Sequence, residues 1–234
     1  MNAPLAILVP SRSRPANIVE LLDAWETTAA GGYAELVVAV DLDDPHLGGY
    51  LDIEMPDYAD LVAGPRLRLG GTLNALAPGL AASYQAVGFM GDDHRPRSLE
   101  WDRRLVEALD AKPLGVVYGN DLLMGPALPT AAFLDARIPR TLGYMVPPGM
   151  VHLYLDNYWK ILGERLGTLT YLGDVIIEHA HPLAGRAEWD ELYREVNAPD
   201  LSAADESRFR RYVELDLDVA VECLTNTSTE EPRT

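Results

Sequence analysis

Val87-Gly88-Phe89-Met90-Gly91-Asp92-Asp93-His94 is a short apolar run that stops abruptly at two acids. Bounded by turn residues, it reads as a buried strand. A strand ending in adjacent carboxylates puts them at the carboxyl edge of a sheet, where open α/β folds bind ligands. Carboxylate oxygens suit hard divalent cations such as Mg²⁺ or Mn²⁺, and an ion held by one or two protein ligands keeps positions for a diphosphate. The plain alternative is a strand followed by a solvated acidic turn.

Working outward, Leu5-Ala6-Ile7-Leu8-Val9 is a first strand, broken by Pro10-Ser11-Arg12-Ser13-Arg14-Pro15. Ile18, Leu21, Leu22 and Trp25 fall at i, i+3, i+4 and i+7 and predict a helix, with Pro15 in its first turn and Gly31-Gly32 beyond its end. Leu36-Val37-Val38-Ala39-Val40 is a second buried strand that ends at Asp41-Leu42-Asp43-Asp44-Pro45. His46 to Gly64 reads as irregular, weakly helical around Tyr58 to Val62. Leu67 to Leu69 reads as a short strand closed by Gly70-Gly71, and a helix is expected over Asn74 to Tyr84. Ser98 reads as the N-cap of a helix with Leu99, Trp101, Leu105, Val106 and Leu109 on its apolar face. Gly115 to Tyr118 is another strand, ending at Gly119-Asn120-Asp121. Up to about residue 121 the alternation predicts an α/β fold with a mostly parallel sheet.

The second half is punctuated by Pro126, Pro129, Pro139, Pro147 and Pro148. A helix is expected near Asp156 to Leu166, then a segment Tyr171 to His181. Trp189, Leu192 and Tyr193 mark a late helix. Ser202 with Asp205 resembles the start of another, which carries Phe209, Tyr212 and Val213. These helices are expected to cover the sheet within one domain spanning residues 1–224, with a nucleotide-binding half to residue 121 and an acceptor-side half after it. Residues 225–234 are polar and aperiodic and read as a frayed tail.

The chain has 234 residues, 48% hydrophobic, enough to bury a sizeable core. Its formal charge of −17 argues against a nucleic-acid backbone as partner. All basic residues but Lys112 and Lys160 are arginines, which grip phosphates in bidentate fashion. No apolar stretch reaches the roughly 18 to 20 residues that span a bilayer, so no membrane partner is expected. Cys223 is the single cysteine, which excludes an internal disulfide. With no export signal in view, the cytoplasm is the expected compartment.

Three strand ends carry acids, at Asp41, at Asp92 and Asp93, and at Asp121, while the first carries Arg12 and Arg14. Acids and arginines at one sheet edge suggest a nucleotide with a metal-bridged diphosphate. At these residues the chain resembles the GT-A glycosyltransferases, particularly family 2-like members. The matching pieces are Ile7-Leu8-Val9-Pro10-Ser11-Arg12, Val38-Ala39-Val40-Asp41, and Phe89-Met90-Gly91-Asp92-Asp93 in the place of the family's Asp-x-Asp motif. The likeness is clearest over residues 5–121 and weaker over 140–182. His152 to Trp159 and Glu178-His179-Ala180-His181-Pro182 also resemble glycosyltransferase-like proteins of actinobacterial phages. If the chain is phage-encoded, the host cytoplasm is implied, with a virion protein as one conceivable acceptor.

The resemblance implies a nucleotide-sugar donor, with a uridine diphosphate sugar favoured, an unidentified acceptor, and Mn²⁺ or Mg²⁺ as cofactor. It implies that Pro10, Ser11, Arg12 and Arg14 line the nucleotide pocket and that Asp41 contacts the base, Asp43 being the substitute if the turn is shifted. Asn74 would help hold the donor, or pack within its helix. Asp92 would sit near the ribose or the metal, and Asp93 would be the direct metal ligand. The family's acid is replaced here by Gly91, and His94 is unusual after such a pair. A second metal ligand is expected from His181, which Pro182 marks as a strand end, with His179 the alternative. Asp156 is read either as the general base toward the acceptor or as an N-cap, with Glu178 the second candidate base. Trp101, Trp159 and Trp189 sit at helical spacings and read as core, with Tyr154 and Trp159 the better aromatic candidates for stacking on an acceptor. Two rival readings are a nucleotidyltransferase, whose Gly-rich, Lys-bearing loop is missing here, and a catalytically inactive binding or assembly protein.

Overall fold

Leu5–Ser11 (β1) and Ala34–Asp41 (β2) are apolar almost throughout because both faces of each are covered. Leu5, Ile7 and Val9 join one core, and Leu8 between them joins the other. The computed structural model describes residues 3–180 and 198–228. The remaining strands are β3 (Ala59–Gly64), β4 (Ala86–Phe89), β5 (His94–Pro96), β6 (Val116–Asn120), β7 (Ala132–Asp135) and β8 (Leu169–His179). They form one sheet in the order β3-β2-β1-β4-β7-β6-β8-β5.

Helices α1 (Pro15–Thr28) and α4 (Trp101–Asp110) pack on one face, where Trp25 and Trp101 meet edge to face at 4.8 Å. The other face is covered by α3 (Arg68–Ala81), α5 (Arg137–Leu142), α6 (Leu155–Leu166), α7 (Pro199–Leu215) and α8 (Leu217–Ser228). The short α2 (Leu47–Leu51) follows β2. Among the described residues, no helix is long and apolar enough to cross a membrane.

The sheet is mixed, which corrects the mostly parallel expectation. β1 pairs in parallel with β2 and β4, β2 with β3, and β6 with β8. β7 lies antiparallel between β4 and β6, and β5 runs antiparallel to β8. The chain leaves β1 toward β2 and β3, then returns through α3 to β4 on the other side of β1. The strand order therefore reverses between β1 and β4, and a crevice opens at their carboxyl ends.

Several local expectations are corrected. Tyr58 to Val62 is not helical: Ala59–Gly64 is strand β3, held by pairing to β2 rather than by its own pattern. Leu67 to Leu69 is not a strand, since α3 begins at Arg68. Gly70 is needed there because a Cβ would come 2.1 Å from the Met150 carbonyl oxygen. Ser98 does not cap α4. Its hydroxyl bonds the Asp174 carbonyl and accepts the Ile176 N–H, and Glu100, left-handed at φ 57°, precedes the helix. Ser202 lies inside α7, and Thr225 to Ser228 continue α8. Trp189, Leu192 and Tyr193 lie outside the described residues.

Asp205 is not part of a cap either. It is fully buried and accepts the backbone N–H groups of Val151, His152 and Leu153 at 3.0, 2.8 and 3.0 Å, with Arg208 beside it at 3.1 Å. Helix α7 thereby fixes the loop that leads into α6. Asp205→Ala removes the acceptor for three N–H groups at once. Urea unfolding is expected to show a loss of about 2–4 kcal/mol, against under about 0.5 kcal/mol for exposed Glu206→Ala. Equal effects would contradict this role for Asp205.

Candidate active site

The crevice between β1 and β4 opens into a cleft of about 310 Å³. Pro10, Ser11, Arg12, Arg14, Asp41, Asp92, Asp93 and Asp156, all expected from sequence, line it. Of the remaining two expected residues, His181 lies outside the described residues and Asn74 is not among the cleft's lining.

The turn after β1 is held from below. Tyr50 of α2 shares a hydrogen bond with Ser11 Oγ at 2.7 Å, and its hydroxyl accepts the Arg14 N–H at 2.8 Å. Ser13, left-handed at φ 61°, donates its N–H to Asp44 at 2.7 Å. This hydrogen bond helps hold a conformation that L-residues seldom adopt. Arg12 bridges Asp41 and Asp43 at 2.8 and 2.7 Å, and Arg66 lies 3.9 Å from Asp41. Asp41 lines the cleft, whereas Asp43 is exposed.

Beyond β4, Asp92 faces back toward β1. It accepts Ser11 Oγ–H at 2.6 Å and lies 3.3 Å from the Arg14 guanidinium. Burial, together with the charge of Asp93, pushes its carboxyl up to about 6. Asp93 faces the opposite way, with Oδ2 3.3 Å from His179 Nε2 and Oδ1 3.4 Å from His94 Nδ1. Burial acts to raise its pKa, but the hydrogen bond and charge of His179 outweigh it and hold the carboxylate well below the usual range. The two acids thus divide the work by direction.

His179 reaches Asp93 through sheet pairing. β8 follows β6 to Leu172, bulges, and resumes at Ile176, after which it pairs with β5 so that His94 lies opposite His179. Asp93, His94 and His179 present ligand atoms within 4.8 Å of one another. A carboxylate with an imidazole fits Mn²⁺, and the carboxylate alone also suits Mg²⁺. The cleft has room beside them. Gly91 allows this packing: a Cβ there would come 2.5 Å from Asp93 Oδ1. The glycine that replaces an acid in the motif is therefore a space requirement of Asp93.

Asp156 is not an N-cap. Tyr154, left-handed at φ 65°, precedes α6, and Asp156 is the second helical residue, its Oδ1 accepting the Asn157 N–H at 2.9 Å. Its carboxylate lines the same cleft as Asp93, and burial raises its pKa. Glu178, on the opposite face of β8 from His179, is paired with Arg97 at 2.7 Å and is not among the cleft's lining. Asn74 instead accepts the N–H groups of Met145 and Val146 and donates to the Val146 carbonyl, so its amide braces that loop. Asp121 is likewise structural, accepting three N–H groups of its own loop and the Thr130 hydroxyl. Tyr154 lines the cleft. Trp159 is buried, its indole N–H bonded to the Met145 carbonyl, and it is also among the cleft's lining.

Sequence reasoning missed Arg66, Arg68, Thr72, Thr130 and His152, which also line the cleft, and set His94 aside. Arg66 and Arg68 had a signal: two arginines just beyond an apolar run, at the sheet edge that carries Arg12 and Arg14. His152, which burial pushes down to about 4, had none, because its place depends on Asp205 over 50 residues away.

No protein-family model and no curated protein sequence matches this chain. Solved structures do share its fold. The mannosyltransferase PcManGT from Pyrobaculum calidifontis, in complex with GDP-Man and Mn²⁺, aligns at TM-score 0.58 and 13% identity over 100% of this chain and 77% of its own. S. aureus TarS 1-349 aligns at TM-score 0.58 and 14% identity over 92% and 73%. Glucosyl-3-phosphoglycerate synthase from Mycobacterium tuberculosis, with Mn²⁺, UDP and phosphoglyceric acid, aligns at TM-score 0.54 and 13% identity over 88% and 78%. At such identity the likeness establishes the fold, which is the expected GT-A type with a mixed sheet. The phage resemblance has no support among these structures.

Gly91→Ala is expected to unfold cooperatively near the wild-type midpoint while Mn²⁺ affinity, read by calorimetric titration, falls by about 10-fold or more. Unaltered Mn²⁺ affinity would contradict the packing of Asp93 against Gly91.

Proposed function

We propose that the chain is a metal-dependent glycosyltransferase that moves a sugar from a nucleoside diphosphate donor to an acceptor hydroxyl. One observation carries the reading: a single cleft at a topological switch point is lined by the Arg12–Asp41 pair, by Asp92, by Asp93 with His179, and by Asp156. Base recognition, diphosphate neutralisation and proton removal are the three tasks of such a transfer, and each finds a matching group here. The neighbours with bound Mn²⁺ and nucleotide agree with it at the level of fold.

In this reading the nucleotide lies along the β1 turn, its base toward Asp41 and its ribose toward Asp92. Arg14, held beside Asp92, faces the diphosphate. Asp93 and His179 would hold the metal, which when bound neutralises charge on the departing diphosphate as a Lewis acid. Asp156 takes the proton of the acceptor hydroxyl as its oxygen bonds the anomeric carbon and the bond to the diphosphate breaks. Burial opposes the ionised form of Asp156 and so makes it the stronger base once ionised. Tyr154 offers its ring to the acceptor on the same wall. A uridine donor is favoured, and the cytoplasm is the proposed compartment.

A uridine or guanosine diphosphate is expected to raise the melting temperature with Mn²⁺ present and much less in EDTA, and Asp93→Asn is expected to lose the metal-dependent part. Equal stabilisation in both conditions would remove the central assignment.

Asp156→Asn is expected to leave donor and metal affinity nearly unchanged while transfer to the acceptor falls by about 10²-fold or more. A base works only when ionised, so the wild-type rate is expected to fall as pH drops through the pKa of Asp156. Because that pKa is raised, the acid limb should lie above 3.8. A variant with near-normal turnover and the same acid limb would exclude Asp156 as base.

A further inference from the structure

His94 belongs to the same cluster as Asp93 and His179, and its role there is decided by where its nitrogens point. The Gly91–His94 turn is closed twice, by the His94 N–H to the Gly91 carbonyl at 3.1 Å and by the Gly91 N–H to His94 Nδ1 at 3.0 Å. His94 Nε2 lies 3.4 Å from Thr130 Oγ1, whose hydroxyl donates to Asp121 Oδ2 at 2.8 Å. With the Thr130 hydrogen committed to Asp121, Nε2 is the donor and Nδ1 the acceptor, which fixes the tautomer. Both ring nitrogens therefore have protein partners, and the side chain is 2% exposed.

The rings of His94 and His179 stack at 4.3 Å with 16° between their planes. An imidazole lone pair lies in the plane of its ring, so one ion cannot sit in the ligating direction of both stacked rings. His179 differs in having Nε2 turned to Asp93 Oδ2 and in lining the cleft at 16% exposure.

We infer that His94 is a positioning residue and not a metal ligand: it locks the Gly91–Asp93 turn, backs the ring of His179, and leaves Asp93 and His179 as the ligands among the described residues. The inference rests on the proposed function, since it concerns the metal of that site. It identifies the Asp121–Thr130–His94 chain as outer support, the arrangement that orients ligands from behind in metal sites.

The test is Mn²⁺ titration of the full chain with UDP, read by pulsed electron paramagnetic resonance that counts imidazole nitrogens coupled to the ion. His94→Asn places an acceptor oxygen near the position of Nδ1, whereas His94→Phe keeps a stacking ring without an acceptor. His181, outside the described residues, is replaced by Ala in the parent and in both His94 variants, and the wild-type chain is titrated alongside. The expected result is one coupled imidazole nitrogen in each protein, Mn²⁺ affinity close to the parent's for His94→Asn, and a loss of about 10- to 100-fold for His94→Phe. Two coupled nitrogens in the parent and one in His94→Asn would overturn the inference while leaving the proposed function standing. Unchanged affinity in His94→Phe would also overturn it. No Mn²⁺ binding by the wild-type chain would overturn the proposed function itself.

Discussion

The pairing of β5 with β8 is the constraint on which the site depends. Three residues after the carboxyl end of β4 run antiparallel to the last residues of β8 and set His94 opposite His179. Without that pairing Asp93 would be a buried carboxylate with no cation beside it, and burial would push it toward protonation. With it, the charge is held by imidazole on one side and the turn is closed by imidazole on the other. The bulge in β8 is what lets one strand serve both β6 and β5.

From this pairing the division of the two acids follows. Asp92 turns to Ser11 and Arg14 at the end of β1, and Asp93 turns to the histidines. The strand reversal between β1 and β4 brings the two ends together, and the mixed sheet carries the later elements round to close the far wall. That wall is built from the other end of the chain. Asp205 of α7 holds the loop at Val151 to Leu153, and the left-handed Tyr154 turns it into α6 with Asp156 facing the cleft. The wall that carries Asp156 and the wall that carries Arg12, Asp41 and Asp92 are thus set by different parts of the sequence.

This explains what was legible in the chain. The strands β1, β2, β4 and β6 and the helices α1 and α6 were readable because their patterns are local. Arg12, Arg14, Asp41, Asp92 and Asp93 stood out at strand ends, the family resemblance pointed to Pro10, Ser11 and Asp156, and all of them line the cleft. β3 was not legible, since its alternation is weak and its identity comes from pairing with β2. The reversed strand β7 and the short β5 were missed for the same reason. Asn74 stayed open between two roles because an amide in a helix looks alike whether it faces a ligand or a neighbouring loop. His94 was set aside because its meaning lies in a partner 85 positions away, and Gly91 looked like a lost acid until the space beside Asp93 was known.

The central claim is that Asp93 and His179 hold a metal against a nucleoside diphosphate at the β1–β4 crevice. Crystals grown with UDP and Mn²⁺, measured at the manganese absorption edge, test it most directly. The account predicts one anomalous peak within bonding distance of Asp93 and His179, with diphosphate oxygens completing its coordination and the base beside Asp41. A peak elsewhere, or nucleotide bound in the cleft with no manganese at Asp93, would contradict it.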